Sequence, residues 1–146
     1  MRVFLGSTFE DLKAHRARVI DVLTGFEKWF VGAMELWPAG PDFPLHESLK
    51  EVAQSDVYVC VQAFRYGTLD AQSGKSITQL EYEHARSLGK PGLAFLMDGN
   101  YRGYPPHYVD KGESGQKLDD FKQILLNEHY ANFFTTPEDL ALMSFA

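Results

Sequence analysis

Residues 56–64 read DVYVCVQAF, an almost uninterrupted run of β-branched, aromatic and small apolar residues in the middle of the chain. A strand with one solvated face alternates apolar and polar residues, whereas a continuous run is typical of a strand covered on both faces. Two similar runs flank it, RVFLG at 2–6 and GLAFLM at 92–97. These three runs predict the centre of a sheet that is buried on both sides.

Helical patterns separate the predicted strands. Helices are expected from a cap at Ser7 or Thr8 to about Leu23, and at 45–53, 77–88 and 118–128. Shorter strands are expected at 29–35 and 131–134. Strands that alternate with helices require right-handed crossovers and hence a parallel sheet with helices on both faces. We predict a three-layer α/β fold of the flavodoxin type, with about five strands in the order 2-1-3-4-5.

Length and charge narrow the function. The 146 residues suit a single domain spanning 1–146, and a net charge of −6 argues against nucleic acid or an anionic membrane as partner. No apolar stretch has the length of a membrane span or of a signal-peptide core, so we expect a cytoplasmic location. A well-formed helix start at Thr136-Pro137 stands close to the end of the sequence, which favours the N-terminal part of a larger protein.

Glu81 is the most informative single residue, because it lies where the predicted helix 77–88 should be apolar. At about 100° per residue, its position falls inside the arc of the apolar side chains. That arc consists of Ile77, Leu80, Ala85 and Leu88. Burying an unpaired carboxylate costs several kcal/mol. Glu81 therefore either lies at the edge of the face and reaches water or an arginine, or lines a pocket and works there.

A ligand site is expected at the carboxyl ends of the first and third strands, where the strand order reverses. The turn after the first strand offers free amides at a helix N-terminus to an anion. The turn after the third strand offers a cation, aromatic rings and a glycine. The candidate binding residues are Gly6, Ser7, Thr8, Asp11, Phe64, Arg65, Tyr66, Gly67 and Ser76, the last as N-cap of the helix that carries Glu81.

Other polar groups are poorer candidates. Glu81 and His84 have the spacing of a carboxylate-bridged metal site, but the second motif that such a site requires is missing, so we expect no metal. Lys13, Arg16 and Arg18 form a basic cluster on the first helix beside acidic residues, which is typical of a solvated face.

Four stretches resemble one uncharacterised family. They are FLGSTFEDL at 4–12, MELWPAG at 34–40, SDVYVCVQAFRYG at 55–67 and GKSITQLEYEHARSLGKPGLAFL at 74–96. The family is a domain of unknown function that is often found N-terminal to NACHT or other STAND ATPase modules in signalling and defence proteins. It is regarded as related to TIR domains and to nucleoside 2-deoxyribosyltransferases, which implies a TIR-like variant of the predicted fold.

The resemblance also implies roles. The segment from Glu81 to Lys90 is similar to the transferase segment that carries a nucleophilic glutamate, which places Glu81 at the catalytic position. Because the active-site Asp and Tyr of those transferases have no clear counterpart, hydrolysis is favoured over base transfer. In the family context, activity would be switched by homo-oligomerisation through a C-terminal ATPase or sensor domain.

Three hypotheses remain open. The first is cleavage of the N-glycosidic bond of NAD or a related nucleotide, which needs one carboxylate and no cofactor, since NAD is itself the substrate. In it, Arg65 and the Ser7–Thr8 amides would hold phosphates, and Phe64 or Tyr66 would stack on a ring. The second is a non-catalytic nucleotide-binding or homotypic interaction module. The third is a nucleoside deoxyribosyltransferase.

Overall fold

The centre of the molecule is a parallel five-stranded sheet with the order β2-β1-β3-β4-β5, as predicted. It is observed in a computed structural model, which describes residues 1–25, 30–32 and 45–143. The strands are β1 (Arg2–Gly6), β2 (Phe30–Gly32), β3 (Val57–Gln62), β4 (Gly92–Met97) and β5 (Asn132–Phe134). All four neighbouring pairs are parallel. Parallel strands carry their carboxyl ends to one edge of the sheet, so the turns that follow β1 and β3 meet there.

Helices cover both faces of this sheet, which makes the three-layer α/β architecture. They are α1 (Lys13–Thr24), α2 (Leu45–Gln54), α3 (Ile77–Ser87), α4 (Gly112–Glu128) and α5 (Pro137–Met143), with a short 3₁₀ turn at Pro106–Tyr108. Side chains of α1 and α5 share one core cluster with alternate residues of the strands, whereas α2, α3 and α4 share the other. Within the described ranges, no helix combines the length and apolar character needed to cross a membrane.

The first helix begins later than predicted. It starts at Lys13, and Leu12 occupies the capping position without a side-chain hydrogen bond. The Ser7 hydroxyl does not cap a helix, because it donates to the Thr8 carbonyl oxygen (2.6 Å) and accepts from Arg16. Residues 7–12 form an irregular turn, so the prediction that Ser7 and Thr8 present amides at a helix N-terminus is wrong.

The third helix has the predicted bounds and cap but buries a different face. Its Ser76 cap accepts a hydrogen bond from the Gln79 amide (3.1 Å). Of the four apolar residues predicted to face inward, only Ala85 is fully buried, and Leu88 is 47% exposed. The buried stripe runs through Thr78, Glu81, Tyr82 and Ala85, about a quarter turn from the predicted arc. The rotation of the helix places Tyr82 in the core, where its ring packs edge-on against Tyr58 and Phe121.

Boundaries differ elsewhere by smaller amounts. The fourth helix starts at Gly112, six positions before the predicted 118, because the glycine-rich segment 112–117 has no apolar periodicity to reveal it. The predicted strand 29–35 is represented by β2, and the remaining positions of that prediction lie outside the described residues, as does the MELWPAG stretch.

Candidate functional site

The candidate site lies at the carboxyl ends of β1 and β3. Gly6 and Cys60 pair directly across the two strands, so these ends are level in the sheet. A Cβ atom at Gly6 would overlap the hydroxyl of Tyr58, which shows how closely the β3 side chain approaches the end of β1. The glycine is therefore required for packing beneath the site, and a direct role in binding is not needed to explain it.

Glu81 is buried in the layer between α3, α2 and the sheet, with 7% of its surface exposed. Burial raises the pKa of its carboxyl to about 7, and the effect is moderated by a hydrogen bond from the Ser48 hydroxyl and by the charge of Arg16. The Ser48 hydroxyl also lies 3.0 Å from the Leu45 carbonyl oxygen, so its one proton serves either acceptor. The site thus holds an acid that titrates near neutral pH.

Arg16 is a buried cation beside the end of β1, not part of a solvated face. It is 3% exposed, and its Nη1 donates to Ser7 Oγ at 2.7 Å and to the Leu5 carbonyl oxygen at 3.5 Å. The other two members of the predicted basic cluster are solvated: Lys13 pairs with Glu10 at 2.9 Å, and Arg18 lies 3.9 Å from Glu138. The guanidinium of Arg16 therefore contributes positive charge to the interior of the site.

The turn after β3 is fixed by Asp110, from the loop between β4 and α4. The Asp110 amide donates to the Phe64 carbonyl oxygen (2.8 Å), and the Tyr66 amide donates to the Asp110 carboxylate (2.7 Å). These two bonds bracket Arg65, whose side chain is half-buried and has no ion pair within the described part of the chain. Arg65 is therefore held by its backbone on both sides while its guanidinium stays available.

The turns after β1 and β3 touch each other. Gly67 has φ +101°, and a Cβ there would come within 2.9 Å of the Thr8 methyl group. Three predicted residues have their polar groups or rings engaged in the fold: the Tyr66 hydroxyl donates to Gln79, Ser76 is the cap of α3, and Lys122 lies 4.6 Å above the Phe64 ring. A ring-stacking role thus requires Phe64 or Tyr66 to move.

Asp11 is buried in the irregular turn after β1. Its Oδ2 accepts a hydrogen bond from the Tyr104 hydroxyl (2.7 Å), while its Oδ1 has no partner among the described residues. One other buried side-chain atom shares this condition, the Oε1 of Gln62 at the end of β3. Buried polar atoms are normally paired, and these two exceptions belong to the turn after β1 and to the last residue of β3. Their unused acceptor positions make this edge of the sheet the candidate site.

Sequence reasoning missed several residues of this region. Arg16 could have been found, because it lies at helical spacing between the buried Leu12 and Val19. Gln62 could also have been found, as the one amide inside the apolar run of β3. Tyr104 and Asp110 come from a long loop without periodicity, and no pattern points to them. Among the described residues, no group of three His, Cys, Asp or Glu side chains is suited to a metal.

Comparison with known proteins places the chain in a family. The domain of unknown function DUF4062 matches residues 2–144, and the chain belongs to this family. No curated protein matches the sequence.

A solved structure shares the fold. The CMP N-glycosidase BcmB of Clostridium botulinum superposes with a TM-score of 0.56, over 99% of this chain and 98% of its own, at 14% sequence identity. At that identity the likeness establishes the common fold, five parallel strands between two helical layers, over almost the whole of both chains.

Proposed function

We propose that this protein cleaves the N-glycosidic bond of a nucleotide, with Glu81 as the catalytic carboxylate. The observation that carries the proposal is the burial of Glu81 at the switch in strand order, where its pKa is raised to about 7. Perturbed acids in such positions are typical of functional sites. The structural likeness to a CMP N-glycosidase supports the same class of reaction.

The chemistry needs one anion beneath the sugar. As the bond to the base breaks, positive charge develops on the ribose, and the ionised Glu81 stabilises or traps that charge before water completes the hydrolysis. NAD suits a single carboxylate, because nicotinamide leaves a cationic pyridinium as a neutral molecule and needs no general acid. NAD is therefore the first substrate to test, with CMP beside it. Arg65 would bind the phosphates.

A nucleotide-binding module is the second candidate. The observation that favours it is the 7% exposure of Glu81, which leaves little of the carboxylate open to a substrate. In that role Glu81 would accept a hydrogen bond from a bound sugar, and no bond would break. Deoxyribosyl transfer is a further candidate, which would be recognised by base exchange between deoxynucleosides.

The test follows release of nicotinamide from NAD and of cytosine from CMP. Wild type is compared with Glu81→Gln and with the matched control Glu83→Gln, an acid on the same helix whose partner is Lys75 (2.9 Å). We expect release by wild type and the control, and a loss of at least about 100-fold in Glu81→Gln. Equal release by all three proteins would reject Glu81 as the catalytic residue.

Regulation belongs to the same proposal. Activation by homo-oligomerisation, in a signalling protein whose C-terminal ATPase or sensor domain drives it, predicts release that depends on clustering. The assay is therefore run with the protein dilute and with the protein tethered at high density on a bead. Nucleotide binding without release in both states, by a folded protein, would favour the binding module.

A further inference from the structure

We propose that Asp11 and Tyr104 form the subsite that receives a ribose hydroxyl group, and that this pair makes the site selective for ribonucleotides. The inference rests on the proposed function for the identity of the ligand. It adds which part of the substrate is recognised, the ribose hydroxyl group, and which residues recognise it.

The first step is the incomplete pairing of Asp11. Its side chain is 8% exposed, and among the described residues one of its oxygens accepts one hydrogen bond while the other accepts none. No Lys or Arg of the described ranges forms an ion pair with it. A carboxylate offers about four acceptor positions, and leaving a buried one empty costs free energy. Asp11 is thus a preformed acceptor that lacks a donor.

The second step is the way Tyr104 holds this acceptor. The Tyr104 hydroxyl donates to Oδ2 and so restrains that oxygen, and the Tyr104 ring packs edge-on against Phe64 at 5.2 Å between centroids. Asp11 follows β1 and Phe64 follows β3, so the pair spans the two turns that form the site. Tyr104 is a positioning residue, and Oδ1 of Asp11 is the group that contacts the ligand.

The third step is the chemistry of the missing donor. An acceptor-only carboxylate repels the phosphates of a nucleotide, so we assign Asp11 to a different part of the substrate. No metal-binding cluster surrounds it within the described residues. A neutral hydroxyl donor fits, and the ribose of a nucleotide carries two. A site that pairs a buried acceptor with a substrate hydroxyl strongly rejects the analogue that lacks it.

Binding is measured apart from catalysis, in a Glu81→Gln background that keeps the nucleotides intact. The probes are CMP, 2′-deoxy-CMP and 3′-deoxy-CMP, and the adenine counterparts of all three, titrated by calorimetry. We expect one deoxy position to weaken binding about 10- to 100-fold, the range of a hydrogen bond to a charged group. Asp11→Ala should bind the ribo and deoxy forms equally, and Asp11→Asn should retain only about 2- to 10-fold discrimination.

Two further variants distinguish recognition of the ribose hydroxyl group from an effect on protein stability. Asp21→Asn removes an exposed acid of α1, the helix that follows the turn holding Asp11, and should keep full discrimination. Tyr104→Phe should reduce discrimination without removing Asp11. Equal affinity of the folded protein for all probes, no binding of any of them, or discrimination that survives Asp11→Ala would overturn the inference. Discriminating binding without base release would instead support the subsite and reject the proposed hydrolysis.

Discussion

Glu81 is an ionisable residue in a buried position, where the loss of water opposes its charged form. The carboxyl is enclosed by α2, α3 and the sheet, and the charge of Arg16 and the Ser48 hydroxyl only partly offset the loss of water. Such a group is kept at a cost to stability, which is the usual condition of catalytic and ligand-binding acids. The sequence placed Glu81 on the inner face of the helix and left open whether it lay at the edge or in a pocket; the structure buries it.

Glu81→Gln is expected to stabilise the protein at alkaline pH. The folded pKa of about 7 lies above the value of 4.5 for an exposed glutamate, so the folded state binds more protons between these pH values. The free energy of unfolding therefore falls as pH rises from about 4.5 to 7 and levels off above that. The loss amounts to about 3 kcal/mol by pH 8. Because glutamine carries no charge, the variant should exceed wild type by up to that amount at pH 8.

Urea denaturation of both proteins at pH 4.5 and pH 8 measures this difference, with Glu83→Gln as the control that should show none. A Glu81→Gln protein that is less stable than wild type by the same amount at both pH values would mean that the carboxylate is well paired in the fold.

At the scale of elements, the turns after β1 and β3 matter more than the helices they lead to. Helix α1 starts too late to present the Ser7 and Thr8 amides as an anion site. The irregular turn instead buries Asp11 and packs Thr8 against Gly67. Sequence patterns predict regular elements from periodicity, and they are silent about a turn whose shape is set by side-chain hydrogen bonds.

Helix α3 illustrates the same point in a regular element. Its bounds and its cap were predicted, since Ser76 and Gly89 are strong local signals. Its rotation was not, because the inner stripe includes Thr78, Glu81 and Tyr82, which are polar or amphipathic side chains. A periodicity analysis counts apolar residues, and it therefore centred the inner face about a quarter turn from the buried stripe, with Glu81 and Ala85 in both.

Gly67→Ala should destabilise the protein more than Gly89→Ala. Both glycines have positive φ, +101° and +69°, but a Cβ at Gly67 meets the Thr8 methyl at 2.9 Å, whereas nothing lies within 4 Å at Gly89. We expect the free energy of unfolding to fall by about 1 kcal/mol in Gly89→Ala, from backbone strain alone. In Gly67→Ala it should fall by about 2 to 3 kcal/mol, because the contact with Thr8 adds to the strain. Chemical denaturation checks this, and equal losses would show that the Thr8 contact yields freely.

At the scale of the whole molecule, a hydrogen-bonded network lies at the amino end of β4, whereas the candidate site lies at the carboxyl ends of β1 and β3. At the amino end of β4, the Tyr82 hydroxyl donates to Glu128 and lies 2.8 Å from His129 Nε2, while Arg86 pairs with Glu128 at 2.9 Å. The His129 ring packs on Gly92, the first residue of β4. This network ties α3 to the end of α4, and it shares no residue with the candidate site.

Tyr82→Phe should therefore separate stability from function. Loss of the hydroxyl removes a hydrogen bond to a charged group, and we expect the free energy of unfolding to fall by about 1 to 3 kcal/mol. Nucleotide binding and base release should stay within about twofold of wild type at a temperature where both proteins are folded, since the lost hydroxyl bonds to Glu128 and His129, which are not part of the candidate site. Tyr82 adjoins Glu81 in sequence, so an effect on the candidate site is the alternative outcome. A fall in turnover without a fall in stability would show it.

The sequence was most informative about the overall fold. Strand order and the alternation of layers follow from continuous apolar runs and crossover rules, so both were predicted. The position of Glu81 followed from one polar residue in an apolar arc. What could not be predicted depends on contacts between distant segments: Asp110 with the turn after β3, and Tyr104 with Asp11.

The strand order also governs how the chain is made. Strand β1 is synthesised first, yet it lies inside the sheet and pairs with β3, where Val3 faces Val57. At bacterial to eukaryotic translation rates, the apolar β1 waits roughly 3 to 11 s on the ribosome before its inner neighbour emerges. During that interval the apolar segment VFL is unpaired on its β3 side, and a holdase chaperone that covers short apolar stretches would be most useful before β3 emerges.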